Sequence, residues 1–194
     1  MYLRESQPYL MNYNKRKKMD IASETLFKQL EEQRTLLLKE LKKKENAVLK
    51  QRPQGGGWNI LEVLGHLLQT EKLALSYVNK KMNVIKEISF SGIKAIINKH
   101  ILLSVLGLPF KYKAPQNSIP AEDIRSLEEL ENEWAEFRKE LLRLLDVTGN
   151  ESRKLLYRHP FAGRMNLLQM MQFFIAHIKH HIKQIDRIQK GIKH

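Results

Sequence analysis

Four long segments of this chain carry apolar residues at every third or fourth position, and no segment alternates apolar and polar residues as a half-buried strand does. This period places the apolar side chains along one face of an α-helix, and such a face must be buried against other elements. The pattern predicts helices over residues 20–51, 59–86, 121–147 and 166–190. Four amphipathic helices in a chain of 194 residues favour an all-α fold, a four-helix bundle.

Polar residues at the starts of these helices support the predicted boundaries. Asp20 can cap the first helix, and Asn59 with Glu62 three residues later is typical of a capping box. Asn166 and Gln169 repeat the same spacing before the last helix. Each of these pairs satisfies backbone N–H groups that have no partner within the helix itself.

The connection between the second and third long helices is long. Residues 93–106 are predicted to form a short extra helix, and residues 108–120 are expected to be a loop. This length favours a bundle with a long crossover connection over simple up-down-up-down order. Residues 1–19 are expected to form a flexible basic arm, so that residues 20–190 make up a single domain.

The composition excludes several classes of site and of partner. The chain has no cysteine, which excludes disulfides, iron–sulfur clusters and thiol nucleophiles and leaves nitrogen or oxygen as metal ligands. Its 34 Lys and Arg against 21 Asp and Glu give a net charge of +13, which raises the question of nucleic acid or an anionic membrane as a partner. The basic residues are spread along the chain, however, and no helix-turn-helix, RNP or zinc-finger spacing is present. We therefore expect solvated basic faces and no nucleic acid binding.

A membrane is also not expected as a partner. No apolar run reaches the ~18 residues that a spanning helix needs. The first residues are polar and basic, without the hydrophobic region of a signal peptide. A cytoplasmic location is the simplest expectation.

Two histidines of the last predicted helix lie on its apolar face. At 100° per residue from His177, Met170 lies at about +20° and His181 at about +40°, within the apolar stripe. Residues four apart on a helix bring their Cβ atoms to roughly 5–6 Å, which lets two imidazoles share one ion. The alternative is a pair of core histidines with satisfied ring nitrogens. The chain lacks the Glu that follows the first His of a zincin motif, so the general base of those proteases is absent.

A third nitrogen ligand would have to come from another helix, and His66 is the best candidate. Glu62 lies four residues before His66 on the same face. Its carboxylate is a candidate fourth ligand or an acceptor for a ligand's ring N–H, and the alternative is a solvated side chain.

Two motifs together resemble a known family. The sequence Trp-Asn-Ile-Leu-Glu-Val-Leu-Gly-His-Leu at residues 58–67, followed by Glu71, resembles the second-helix motif of the DinB/YfiT-like superfamily. The stretch His-Pro-Phe-Ala-Gly at residues 159–163 leads to His-x-x-x-His-x-x-Gln-Ile at residues 177–185 and is similar to that superfamily's fourth helix. The two motifs occur in the expected order and separation.

The resemblance implies a fold, a site and a range of activities. It implies a four-helix bundle with a long crossover, often a homodimer, in which His66, His177 and His181 hold a divalent metal ion. Zinc and nickel are the metals expected first. Members of this superfamily are described as metal-dependent hydrolases or as thiol S-transferases that use a low-molecular-weight thiol as a cofactor.

The sequence leaves more than one function open. Three neutral histidines leave a coordination position free, which suits a metal-dependent hydrolase or S-transferase acting on a small-molecule substrate. The alternative is a non-catalytic metal-binding or scaffold bundle with a basic surface. His159 and Glu62 are the candidates for a catalytic role, with His159 lining the mouth of the site or holding the entry to the last helix. Tyr157 and Arg164 are candidates for binding an anionic substrate.

Overall fold

A computed structural model describes residues 19–107 and 125–191 of the chain. Its α-helices are α1 (Ile21–Leu41), α2 (Asn46–Lys50), α3 (Ile60–Met82), α4 (Ile93–Gly107), α5 (Leu127–Thr148) and α6 (Leu167–Gly191), and its strands are β1 (Tyr157–His159) and β2 (Gly163–Met165). The predicted all-α fold is confirmed, and the short extra helix lies where it was expected. The expected basic arm and the loop at residues 108–120 lie outside the described residues, apart from Met19.

The four long helices α1, α3, α5 and α6 form the bundle. α6 packs against α1 and α3, and α5 packs against the same two helices from the other side. Their apolar stripes meet in one continuous core, in which Leu30, Leu64, Trp134 and Phe174 are fully buried. The apolar period of the sequence therefore corresponds to the contacts that hold the helices together.

The predicted helix caps are present. The Oδ1 of Asn59 accepts from the N–H of Glu62 at 2.9 Å, while the Glu62 carboxylate accepts from the N–H of Asn59 at 2.8 Å. Asn166 and Gln169 form the same reciprocal pair at the start of α6, at 2.8 and 3.0 Å. Asp20 caps α1 through the N–H of Ser23 at 3.1 Å. These caps fix where α3 and α6 begin, and both helices carry candidate site residues.

The first two helices end earlier than predicted. α1 ends at Leu41 rather than near residue 51, and the chain turns before the separate short helix α2. This turn lets α2 pack against α3 and bury Leu49. α3 ends at Met82 rather than near residue 86, and the 3₁₀ turn that follows buries Ile85 in the core. Apolar residues beyond each helix end keep the helical spacing, so the sequence pattern alone does not predict where the two helices end.

Among the described residues, the third long helix begins at Leu127, and Arg125 and Ser126 before it are not helical. Ser126 caps α5 by accepting from the N–H of Glu129 at 3.1 Å. The Glu129 carboxylate accepts in return from the N–H of Ser126 at 2.6 Å. The predicted start at residues 121–123 lies outside the described residues.

The connection between the last two predicted helices contains a small antiparallel hairpin. Tyr157 pairs with Met165, Arg158 with Arg164, and His159 with Gly163. Gly163 has a φ of +72°, a conformation that L side chains rarely adopt and that this tight turn requires. β1 packs against α3, and β2 packs against α4, so the hairpin joins α4 to the bundle.

The helix α4 lies at the side of the bundle, between α6 and the hairpin. It packs against α6 and β2, and the Asn98 side-chain amide donates to the carbonyl of Ala162 at 3.0 Å. Ala95 and Leu102 are its buried apolar residues. Within the described ranges, no helix combines the length and apolarity that crossing a bilayer demands.

Candidate metal centre

The structure brings His66, His177 and His181 together between α3 and α6. One ring nitrogen from each of the three lies within 4.8 Å of the other two. The ring centroids are 5.2 Å apart for His66 and His177, 5.0 Å for His66 and His181, and 4.5 Å for His177 and His181. Among the described residues, these three histidines form the one group of at least three His, Cys, Asp or Glu side chains whose ligand atoms lie close enough to share a metal ion.

The two histidines of α6 are arranged for a shared ligand. Their Nε2 atoms lie 3.0 Å apart, a separation that allows both nitrogens to lie at the ~2.0–2.1 Å that a zinc ion prefers. Because the two residues are one helical turn apart, the helix backbone itself holds the rings at this spacing. Packing of α3 against α6 then supplies the third ring.

Gln184 fixes the tautomer of His181. Its side-chain oxygen lies 2.7 Å from the Nδ1 of His181, and an amide oxygen only accepts, so this Nδ1 carries the proton. The Nε2 of His181 then presents its lone pair to the cluster. Metal-binding histidines typically donate their outer ring N–H to an oxygen in this way.

His177 is less completely satisfied. It is 7% exposed, and its Nδ1 is buried without a hydrogen-bond partner in the structure. Its ring is instead held by stacking on Phe173, with centroids 5.2 Å apart and an interplanar angle of 20°. A buried ring nitrogen without a partner is destabilising by about 1–3 kcal/mol, and an ion held at the inward Nε2 atoms would leave this outer nitrogen without a partner.

Burial keeps the three imidazoles neutral. It lowers the pKa of His66 from 6.5 to about 4, and burial together with the neighbouring His66 lowers the pKa of His181 to about 3. Burial, with the neighbouring histidines acting in the same direction, holds the pKa of His177 well below its usual value. At neutral pH the rings are therefore unprotonated and can bind a cation.

Aromatic rings surround the histidines. Trp58, the residue before the Asn59 cap, lies with its ring centroid 5.0 Å from that of His66. Trp58 is half-buried and also packs against the core. Phe173 covers His177 on the hairpin side, whereas His66 is half-buried. The cluster is thus shielded by apolar rings on two sides and is most accessible at His66.

Glu62 does not join the group. Its carboxylate accepts from the Asn59 backbone in the capping box and forms an ion pair with Arg52. The structure therefore places this side chain in a helix cap and gives no support to Glu62 as a fourth ligand. Its contribution to the site is indirect, because it fixes the start of the helix that carries His66.

His159 is buried but separated from the three histidines by Phe173. Its Nδ1 accepts from the backbone N–H groups of Phe161 and Ala162, at 3.2 and 3.1 Å, and so holds the hairpin turn. Its ring contacts Phe173 with centroids 4.6 Å apart, and Phe173 stacks in turn on His177. The alternative of a helix-entry histidine fits these contacts better than a catalytic role.

The two candidates for binding an anionic substrate also lie outside the group. Tyr157 is buried in β1, and burial raises the pKa of its hydroxyl above the usual value. Arg164 is exposed beside Arg158 on the solvent face of the hairpin. His180, at the edge of the apolar stripe, has its Nδ1 2.8 Å from the carbonyl of Leu106 and so holds α4 to α6.

Sequence reasoning assigned no role in the site to Gln184 and Phe173. Gln184 lies three residues after His181, a spacing at which helical side chains meet. This spacing could have predicted the contact between the two side chains. Phe173 lies four residues before His177 on the same helix, a spacing at which side chains also meet. It is buried, but it also fixes the orientation of a candidate ligand.

The donor set fits some cations better than others. Three neutral imidazoles suit zinc, nickel, copper or cobalt, whereas calcium and magnesium prefer oxygen ligands. The low pKa values and the 3.0 Å separation between the two Nε2 atoms are compatible with a divalent transition metal at this position.

Comparison with known proteins gives one family and one relative. The family model described as the DinB superfamily matches residues 29–185. An uncharacterized protein, YuaE of Bacillus subtilis (strain 168), is 26% identical over 156 residues, which cover 79% of this chain and 91% of that protein. No solved structure matches the chain.

Proposed function

The chain belongs to the DinB superfamily, and we propose that it is a metal-dependent enzyme whose divalent ion, zinc or nickel, is held by His66, His177 and His181. Its substrate is a small molecule, and its reaction is either a hydrolysis or the transfer of a group to a low-molecular-weight thiol. We infer further that the protein works in the cytoplasm as a homodimer.

One observation carries this proposal: three neutral imidazoles from two helices converge with their nitrogens within 4.8 Å. A core built only for stability gains nothing from three adjacent imidazoles, since their polar nitrogens must be desolvated and then satisfied. An ion that accepts a lone pair from each ring offsets this penalty. The convergence is therefore better explained by ligand binding than by packing.

The geometry also favours chemistry over a purely structural ion. Three protein ligands leave one position free, whereas structural zinc sites usually close all four. A bound divalent ion with a free position brings the pKa of water to about 7 and equally stabilises a thiolate. Gln184 keeps the lone pair of His181 directed inward, and Trp58 and Phe173 exclude water from two sides of the cluster.

The chain itself supplies few groups that could act as a nucleophile or base. It contains no cysteine, and the carboxylate of Glu62 is engaged in the capping box and with Arg52. The attacking group must therefore come from solvent or from a second small molecule. This is why both water and a thiol are kept as co-substrates in the proposal.

Metal analysis of the untagged protein is the direct test. We expect about one zinc or nickel ion per chain after titration, and loss of tight binding in His177→Ala and His181→Ala with unchanged helical circular dichroism. His100→Ala is the matched control, because His100 is exposed on α4 away from the cluster. A wild-type protein that takes up no ion would contradict the proposal, as would full occupancy in both cluster variants.

Cobalt substitution would test the free position and the two reactions. Adding a small thiol to the cobalt protein is expected to produce a thiolate-to-metal charge-transfer band if the position is open to thiols. A thiol-induced band would favour the S-transferase, whereas its absence with turnover of an activated ester would favour the hydrolase. A cobalt spectrum insensitive to thiols and to small anions would show a closed site and contradict an enzymatic role.

A further inference from the structure

An exposed apolar surface lies on the side of the molecule formed by α4 and the hairpin. Phe90, Ile93, Ile97, Ile101 and Phe161 are 61, 75, 52, 58 and 93% exposed. We refer to these five residues as the α4–hairpin face. Exposed apolar residues that occur singly are ordinary, but a contiguous group of large ones marks an interaction site.

The five side chains belong to one surface. Ile93, Ile97 and Ile101 follow one another at intervals of four and therefore line one side of α4. Asn98, on the same helix, bonds to the carbonyl of Ala162, which places the neighbouring Phe161 beside α4. Phe90 enters the surface from the start of α4, where it forms a β-bridge with Lys154.

Basic residues predominate around this face. Residues 88–107 and 152–185, which build α4, the hairpin and most of α6, contain no Asp or Glu among the chain's 21 acidic residues. Lys94, Arg158 and Arg164 are exposed there, and the two arginines are cross-strand partners. Within the described residues no ion pair neutralises any of the three. Acidic residues lie only at the Phe90 end of the face among these neighbours: Glu87 is exposed there, and Glu151 pairs with the Lys154 ammonium that lies over the Phe90 ring. Around α4 and the hairpin turn, the exposed charges of the described residues named above are basic.

This charge pattern disfavours a second copy of the chain as the partner. In a symmetric dimer the same patch meets itself, so a self-complementary face needs both signs of charge. Here Arg158 and Arg164 would approach their own counterparts, with no acidic residue from these segments to compensate. Nucleic acid has the complementary charge. Its phosphate backbone, however, provides no apolar surface for the three exposed isoleucines of α4 or for Phe161.

We propose that the α4–hairpin face docks on an anionic phospholipid bilayer. Phe161 and the isoleucines of α4 enter the boundary between headgroups and acyl chains, while Arg158, Arg164 and Lys94 contact lipid phosphates. Such surface binding needs no spanning helix, so it agrees with the absence of one in the described ranges. It also does not depend on the metal centre, and either proposal can fail without the other.

Vesicle flotation with the full chain tests the proposal. At low salt we expect wild-type protein to float with phosphatidylcholine vesicles that contain a quarter phosphatidylglycerol, and not with pure phosphatidylcholine. The triple variant Ile97→Ser/Ile101→Ser/Phe161→Ser should partition about tenfold more weakly, because it removes the inserted apolar side chains. The matched control is Ile21→Ser/Leu36→Ser/Leu73→Ser, which changes three equally exposed residues on α1 and α3 and should float as the wild type does.

The role of the basic residues in membrane binding is tested by a separate pair of variants. Arg158→Gln/Arg164→Gln should weaken flotation, whereas Lys80→Gln/Lys81→Gln, the same change in net charge at the end of α3, should have less effect. This comparison also separates the face from the basic residues at the N-terminus, which all variants share.

Three outcomes would overturn the proposal. The first is a wild-type protein that floats with neither vesicle, and the second is a triple variant that floats as strongly as its control. The third is a wild-type dimer in light scattering that the α4–hairpin triple variant converts to monomers, since the face would then bind a second copy.

Discussion

Two clusters of polar side chains are buried in this bundle, and they are built on opposite principles. In one, Glu71 of α3 accepts from the indole N–H of Trp134 at 2.8 Å and pairs with the Arg138 guanidinium at 2.7 Å. Arg138 in turn pairs with Glu31 of α1 at 2.9 Å. Opposite charges and hydrogen bonds thus connect α1, α3 and α5. In the other cluster, three rings without opposite charges meet between α3 and α6.

The two clusters differ in how their polar atoms are paired. Glu71 and Arg138 are almost fully buried and pair their charges within the chain, although the Nε and Nη1 of Arg138 make ion-pair contacts without a hydrogen-bond partner. The histidine cluster contains no opposite charge, and the Nε2 atoms of His177 and His181 face each other at 3.0 Å. Paired charges fix how helices align, whereas converging ring nitrogens can bind a cation.

Breaking the Glu71 cluster should have the largest effect. Arg138→Met leaves the Glu71 carboxylate buried without its cation, and we expect the free energy of unfolding of the metal-free protein to fall by about 3–5 kcal/mol. Urea unfolding measures this loss. Lys139→Met is the matched control, because its ion pair with Glu136 is exposed and should contribute less than about 1 kcal/mol.

A double variant sharpens the same test. Glu71→Leu/Arg138→Met removes both charges and should recover most of the stability that the single variant loses. If the double variant is as unstable as the single one, the cluster stabilises the bundle by something other than charge pairing.

Breaking the histidine cluster should affect metal binding and leave folding nearly intact. We expect His181→Ala to weaken zinc affinity by about a hundredfold to a thousandfold, since one of three ligands is lost. Chelator competition measures the affinity, and urea unfolding without metal should show little destabilisation. A loss of stability as large as that of Arg138→Met would mean that the two clusters have the same structural role.

Gln184 separates an orienting role from a packing role. We expect Gln184→Leu to weaken metal binding by about 10–100-fold, because the outer nitrogen of His181 loses its acceptor. Gln184→Glu keeps an acceptor oxygen and should bind at least as tightly as the wild type. Equal affinities for the Leu and Glu variants would show that the contact with His181 does not orient the ligand.

Acid should act on the metal-free protein through the histidine cluster. Burial lowers the pKa of His66 to about 4, whereas the unfolded chain protonates near 6.5, so the unfolded state binds protons first as the pH falls. Stability is therefore fully present above about pH 7 and is lost between pH 6.5 and 4, by about 1.4 kcal/mol per pH unit for each such histidine. His66→Gln should give a shallower dependence, measured by urea unfolding at several pH values. An unchanged slope would contradict the low pKa.

The sequence predicted the long helices well because their apolar period reports burial directly. The four long helices, the extra helix α4 and the caps at Asn59 and Asn166 follow from local patterns. The break after Leu41 and the hairpin at residues 157–165 do not. A strand of three residues is too short to show a period, and the turn after Leu41 is favoured by burying Leu49, which is a tertiary effect.

The two buried clusters differ in how far the sequence revealed them. His177 and His181 are one turn apart on one helix, so their proximity can be calculated from helix geometry. Glu71 and Arg138 lie 67 positions apart, and the reciprocal placement of two buried charges cannot be found by a local pattern. The position of His66 depended on the family resemblance and on the search for a ligand from another helix. That the Nδ1 of His177 has no hydrogen-bond partner could be found only from the structure.

Two of the three rings share one helix, and this has a mechanical consequence. The distance between His177 and His181 is set by α6 alone, while the distance to His66 follows every shift of α3 relative to α6. One ring-to-ring distance is therefore fixed, and the other two vary with helix packing. Substitutions in the α3–α6 contact, far from any ring, would change the distance of the His66 nitrogen from the other two. The affinity for an ion would then depend on the spacing of these two helices.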